Sequence, residues 1–186
     1  MTIDSSQVRL APFGNVYVAE LGTALPTSAT STLNAAFTAL GYIDEQGVTI
    51  TPKVNLTDIT MWQSAVPVKT TLNNIELQVK LNMGQVNFTN WDLYFFNESF
   101  TNVFGQGKLT ISSTPPSQEK AFIVEWRDDE GDYSRLVLPR VVLADRDALK
   151  LIRKDAQIAG LTFRALDFSG DLAYVYSENP DLVPAT

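Results

Sequence analysis

The run Ile75-Glu76-Leu77-Gln78-Val79-Lys80-Leu81-Asn82-Met83 alternates apolar and polar residues without a fault. In an extended chain successive side chains point to opposite faces, so one face of this run belongs in a core and the other in water. It is the most secure strand in the sequence, and similar β-rich runs surround it. They are Val16 to Ala19, Val48 to Thr51, Lys108 to Ser112, Ala121 to Arg127, Tyr133 to Leu138, Gly160 to Asp167 and Leu172 to Tyr176. An acidic, glycine-containing bend, Asp128 to Asp132, separates two of these runs and reads as a hairpin turn. Residues 141 to 159 suit either period and are taken as strand. Pro115-Pro116 marks a loop between strands, because strand-rich composition continues on both sides.

Two segments read as helices. Thr32 can cap the first, Leu33, Phe37 and Leu40 fall on one face, and Gly41 can end it. The second runs from about Thr89 to Phe96, capped by Thr89 or Asn90, and Trp91, Leu93, Tyr94, Phe95 and Phe96 leave it almost no polar face. A helix apolar all round is normally buried, here either against a sheet or between subunits. Trp91, Tyr94 and Phe95 are therefore candidates for a core or a subunit interface. The resulting fold class is mainly β with one or two short helices, an antiparallel sandwich or split barrel.

Between these strands lies a Pro-bounded segment, 51–72, whose middle reads Leu56-Thr57-Asp58-Ile59-Thr60-Met61-Trp62-Gln63 and shows no clear period of its own. A structureless loop of about 20 residues is uncommon inside a compact domain and is usually functional. With Met61 and Trp62 in its middle it reads as an arm that docks on something. Asp58, Ile59, Met61, Trp62, Val66 and Val68 are its candidate assembly residues.

The sequence holds no cysteine and no histidine. That removes disulfides, thiolate nucleophiles, sulfur- or histidine-ligated metals and every Ser-His-Asp or Cys-His arrangement. What remains is two-carboxylate or lysine chemistry, and the acids cluster in turns such as Asp128-Asp129-Glu130, where turn geometry accounts for them. No P-loop, dinucleotide glycine pattern or calcium loop appears, so neither an enzyme nor a cofactor is expected. The sequons at Asn55, Asn87 and Asn97 match by letter only. A two-carboxylate glycosidase needs an acid and a base across a cleft, which sequence cannot display.

The 186 residues and 45% hydrophobic content suit one domain with a real core. No run approaches the roughly 20 apolar residues of a membrane span, and the N-terminus lacks a basic start followed by an apolar stretch. The expectation is a soluble chain made in the cytosol without a membrane partner. The formal net charge is −7, and no basic stripe interleaved with aromatics is present, which argues against tight binding to nucleic acid.

The order of features carries a resemblance. An N-terminal strand leads to Leu25-Pro26-Thr27, an Ala- and Leu-rich segment, Leu40-Gly41-Tyr42-Ile43, Glu45-Gln46-Gly47-Val48, the long segment with Trp62, and later Asp155-Ala156 and Leu161-Thr162-Phe163-Arg164-Ala165. From about Gly14 to Tyr176 this resembles the major tail proteins, or tail tube proteins, of long-tailed bacteriophages. The patterning divides the chain into an N-terminal arm over 1–13, a body over 14–177 that includes the long loop 51–72, and a polar tail over 178–186, and the resemblance implies a β-sandwich or split barrel of the tail tube type. It implies hexameric rings stacked into a hollow tube, with segment 51–72 reaching toward the next ring. A tape measure protein, a tail terminator and passing DNA, not specifically bound, are its expected partners, and the virion tail its place. A monomeric β-sandwich that stacks Trp62, Trp91 or Tyr94 on sugar rings, as a carbohydrate-binding module does, is the rival reading.

Overall fold

The computed structural model describes residues 7–96, 98, 100–115 and 119–184. Its strands are β1 (Phe13–Glu20), β2 (Thr38–Ala39), β3 (Ile43–Ile59), β4 (Lys69–Met83), β5 (Thr101–Val103), β6 (Gln106–Lys108), β7 (Glu119–Arg127), β8 (Tyr133–Arg146), β9 (Ala159–Ala165) and β10 (Tyr174–Ser177). Helix α1 (Phe88–Tyr94) lies between β4 and β5. The principal sheet runs β2-β1-β7-β8-β9-β4-β3, with β10 beside β8, and every pairing in it is antiparallel.

Strand β8 divides this sheet into two wings. On one flank it pairs with β7; on the other it lies beside β10 from Ser134 to Val137 and beside β9 from Val141 to Arg146. Between them Pro139 and Arg140 oppose Ala121 alone, a bulge of the kind that bends a strand. The bulge also changes parity, so that Leu136 and Leu138 before it and Val141 after it all enter the same core. That core brings Val16, Val18, Phe122 and Val124 of the first wing against Val79, Leu81, Met83, Leu161 and Phe163 of the second. Phe122 and Phe163 meet with ring centroids 4.5 Å apart. Each such side chain contributes roughly 1.5–3 kcal/mol by leaving water. The sheet does not close into a barrel, and the chain is the mainly antiparallel sandwich with one short helix that its patterning predicts.

A second core covers the outer face of the first wing. Ala19, Ala121, Ile123 and Val137 are buried there beneath Phe37, with Leu25 and Leu33 packed alongside. Burial on both faces explains why Ala121-Phe122-Ile123-Val124 is continuously apolar instead of alternating.

The same packing overturns the helix expected over Thr32 to Gly41. Asn34 accepts a hydrogen bond from the Ala36 N–H through its side chain (2.9 Å), and its carbonyl accepts one from the Phe37 N–H (2.9 Å), forming a tight turn. The Leu40 N–H then donates to Val16 of β1 (2.9 Å). Phe37 enters the second core and Leu40 the first, so residues that a helix would place on one face serve opposite faces of a sheet. Tertiary pairing has overridden a weak local preference. Gly41 ends no helix; its φ of 77° turns the chain toward β3, with the Gln85 side chain against it.

The second helix is present but shorter, and Asn87 caps it, not Thr89 or Asn90; the Asn87 side chain accepts from the Asn90 N–H (2.8 Å). Asn90, 1% exposed, instead donates to the carbonyls of Leu40 (2.8 Å) and Gln85 (2.7 Å), tying α1 to the sandwich. Phe96, expected inside the helix, lies beyond it with φ 66°. Of the expected strand over 141 to 159, β8 takes residues through Arg146, and 147–158 are irregular. The strand expected from Lys108 to Ser112 ends at Lys108; that residue closes the small β5–β6 hairpin, whose turn residues Phe104 and Gly105 both have positive φ. Pro115 lies in irregular chain, whereas Pro116 and the sequon residues Asn97 and Ser99 fall outside the described residues. No helix among the described residues is long and apolar enough to cross a membrane.

Candidate assembly surface

Segment 51–72 is not the structureless loop expected. Strands β3 and β4 pair from Val48↔Leu81 out to Ile59↔Lys69, so only residues 60–68 connect them. Pro52 disguises the strand in sequence, but β3 is the sheet's edge, where a residue without an N–H is tolerated. Strand β9 covers β4 only from Gln78 to Met83, so the hairpin beyond Leu77 projects as a two-stranded ribbon about 25 Å long. Such a ribbon is marginally stable alone in water.

Its two faces differ sharply. Opposed pairs Pro52/Leu77, Val54/Ile75 and Leu56/Leu72 continue outward the face that Val48, Val79 and Leu81 present to the core. Asn73, an extra residue at a bulge, keeps Leu72 on that face despite the odd spacing from Ile75. The opposite face carries Lys53/Glu76, Asn55/Asn74 and Thr57/Thr71, and its polar groups satisfy one another. The Lys53 ammonium donates to Gln78 (3.1 Å), Asn55 to Asn74 (2.7 Å) and Asn73 to Thr57 (2.6 Å). Near the end the pattern inverts: Asp58 falls on the apolar side, where it accepts from the Thr70 hydroxyl (2.7 Å).

The connection holds a fixed shape. The Val68 N–H donates to Ile59 (2.8 Å), the Ser64 N–H to Met61 (3.0 Å), and the Ser64 hydroxyl to Val66 (2.8 Å). Trp62 stands 99% exposed on it, and Met61, Val66 and Val68 are exposed beside it. The structure thus gathers the six candidates Asp58, Ile59, Met61, Trp62, Val66 and Val68 at one end of one hairpin. Sequence reasoning missed Val54, Leu56, Leu72 and Ile75, all more than half exposed on the apolar face. The signal was available: the alternation of β4 has a counterpart in Val48-Thr49-Ile50-Thr51-Pro52-Lys53-Val54-Asn55-Leu56.

Trp91 and Tyr94 on α1, and Phe95 just past its end, are half-buried. The Tyr94 hydroxyl donates to the Asp147 carbonyl (2.8 Å) and accepts from the Leu149 N–H (3.0 Å), while Arg146 donates to the Tyr94 carbonyl (2.7 Å). Trp91 packs on Phe95 with centroids 5.2 Å apart. Nearby Asp92 has a buried carboxylate oxygen without a hydrogen-bond partner in the described structure, and burial pushes its pKa above the ordinary value, the Lys120 ammonium opposing and Glu20 and Glu98 reinforcing the rise.

The acidic turn has a structural role. Asp128 accepts from the N–H groups of Glu130, Gly131 and Asp132 through one carboxylate oxygen (2.8–3.1 Å). No cluster of three or more acids able to hold a metal occurs among the described residues.

Where the sheet fails to close, an open groove of about 830 Å³ separates β1 and β7 from β3. Phe13, Val16, Tyr42, Val48, Ile50 and Trp126 line it, together with Asp44 and Glu45. Tyr42 is 82% exposed and Phe13 71%.

The fold is an open antiparallel sandwich that leaves apolar side chains exposed on a projecting ribbon. The phage tail tube protein family model matches residues 1–186, and the chain belongs to that family. It is therefore a structural tail protein of the virion. The chain is also similar to one in a solved structure described as the cryo-EM structure of the anti-feeding prophage (AFP) baseplate, 6-fold symmetrised. The identity is 11% over 94% of this chain and 97% of that one, with a TM-score of 0.47. Among curated proteins no sequence matches.

Proposed function

We propose that this chain assembles into hexameric rings that stack into the hollow tail tube, with the β3–β4 hairpin reaching from one ring to the next. The observation that carries the reading is the ribbon itself, whose apolar face and Trp62 end are left in water by their own subunit. Burial of one aromatic side chain of about 150–250 Å² contributes several kcal/mol at most, at roughly 25 cal/mol per Å². A ring repeats the contact, and stacked rings engage all copies together, so a modest contact becomes strong in sum. The −7 formal charge of each copy, repeated around a ring, disfavours phosphate binding, so DNA passes without being held.

In this reading the chain is made in the host cytoplasm and has no catalytic task, cofactor or membrane contact. Residues 14–177 form the tube-building body, flanked by the arm over 1–13 and the polar tail over 178–186. Trp91, Tyr94 and Phe95 serve as core or subunit interface, and a tape measure protein and a tail terminator set the tube's length and end. Negative-stain electron microscopy across a concentration series tests it. Rings or hollow tubes are expected, and a monomer persisting at the highest concentration sinks the reading.

A further inference from the structure

The groove and the hairpin end are two unpartnered apolar features of one chain, and they are matched in kind. The groove volume falls in the range, about 300–1,000 Å³, that accommodates bulky apolar groups. Its lining is aromatic and aliphatic, and backbone is free on both sides. Strand β2 reaches only Tyr17 and Val18, leaving Phe13 to Asn15 of β1 paired with β7 alone, and β3 is a sheet edge along its whole length. A seam with free edges can accept an added extended segment.

The hairpin end suits this site in apolar character and charge. Internal hydrogen bonds hold the backbone of the turn between Ile59 and Val68, which reduces the ordering cost of binding, and Trp62 stands exposed on it. From Ile59 to Lys69 the only charged residue is Lys69, whereas the groove carries Asp44 and Glu45. A chain cannot fill its own groove. Ile50 lines the groove, and continuous pairing out to Ile59↔Lys69 carries Met61 about 35 Å away along the ribbon.

We infer that the seam groove between β1 and β3 is the receptor for the β3–β4 hairpin end of a second copy, with Trp62 as anchor against Tyr42 and Trp126. This deepens the assembly reading and rests on it. The contact is heterologous, tip to seam, and therefore propagates from copy to copy without closing on a pair.

The absence of cysteine makes the test clean. Gln63→Cys at the hairpin end and Glu45→Cys at the groove, combined in one chain and treated with a short bismaleimide, are expected to give a ladder of covalent multimers. Either single variant is expected to stop at dimers. Tubes seen by electron microscopy in the double variant without a ladder overturn the groove assignment and spare the tube reading. Soluble folded protein with neither tubes nor ladder overturns both. An independent measurement pairs Trp62→Ala with Tyr42→Ala, each expected to raise the critical concentration for assembly about tenfold or more. If the two side chains meet, the combined variant is little worse than the worse single one; full additivity refutes the contact.

Discussion

Asn90 shows how a single polar residue holds two parts of the molecule together. Its amide donates to Leu40, which enters the first core, and to Gln85, which precedes α1. Asn90→Ala leaves buried carbonyls without donors, and a loss of about 2–4 kcal/mol is expected in denaturant titration. Asp92 acts in the opposite sense. Its folded-state pKa lies above the ordinary 3.8, so the unfolded chain ionises first as pH rises, and stability is lost through the window from that value up to the folded one. Asp92→Asn is expected to raise the melting midpoint at about pH 7 and to lose that advantage below about pH 3.8. An advantage that grows toward low pH would show the shift to be wrong in sign. Neither role was legible in sequence. Asn87, Thr89 and Asn90 are all competent caps, and only the tertiary acceptors for Asn90 decide among them.

At the scale of elements, the sequence was legible wherever one face meets a core and the other water. The strand at Ile75 to Met83 and the hairpin around Asp128 to Asp132 follow from patterning, although only Val79, Leu81 and Met83 of that strand are fully buried and Ile75 stays more than half exposed. The rule failed in two physical situations. Over Thr32 to Gly41, apolar residues at helical spacing divide between two cores on opposite sides of a sheet. In β3, Pro52 resembled a boundary although an edge strand accepts it. Trp62 and Met61 mark the hairpin end in the sequence, whereas Pro52 masks the apolar ribbon behind them. The hairpin also offers a direct test. Replacing Thr60 to Val68 by Asn-Gly gives a two-residue turn that suits an antiparallel ribbon. The exposed residues removed make few tertiary contacts, so the unfolding free energy is expected to stay within about 1 kcal/mol. Assembly is expected to be abolished, and tubes that still form would show that the hairpin end is not the inter-ring contact.

For the whole molecule, the proposed tube has to bring together copies that repel one another. Each carries a formal −7, so bringing them together raises the local density of negative charge. Apolar surface is left uncovered on one ribbon face, at Trp62 and in the groove lined by Phe13 and Tyr42. If burial drives association and charge opposes it, salt should help. The Debye length shortens from about 30 Å at 0.01 M to about 8 Å at 0.15 M, which screens repulsion between neighbours but leaves apolar burial intact. Light scattering across that range is expected to show the critical concentration falling several-fold as salt rises. A threshold that climbs with salt would mean that ionic contacts hold the copies together, with Lys69 against Asp44 and Glu45 the first pair to test. A threshold indifferent to salt would place the net charge away from the subunit contacts.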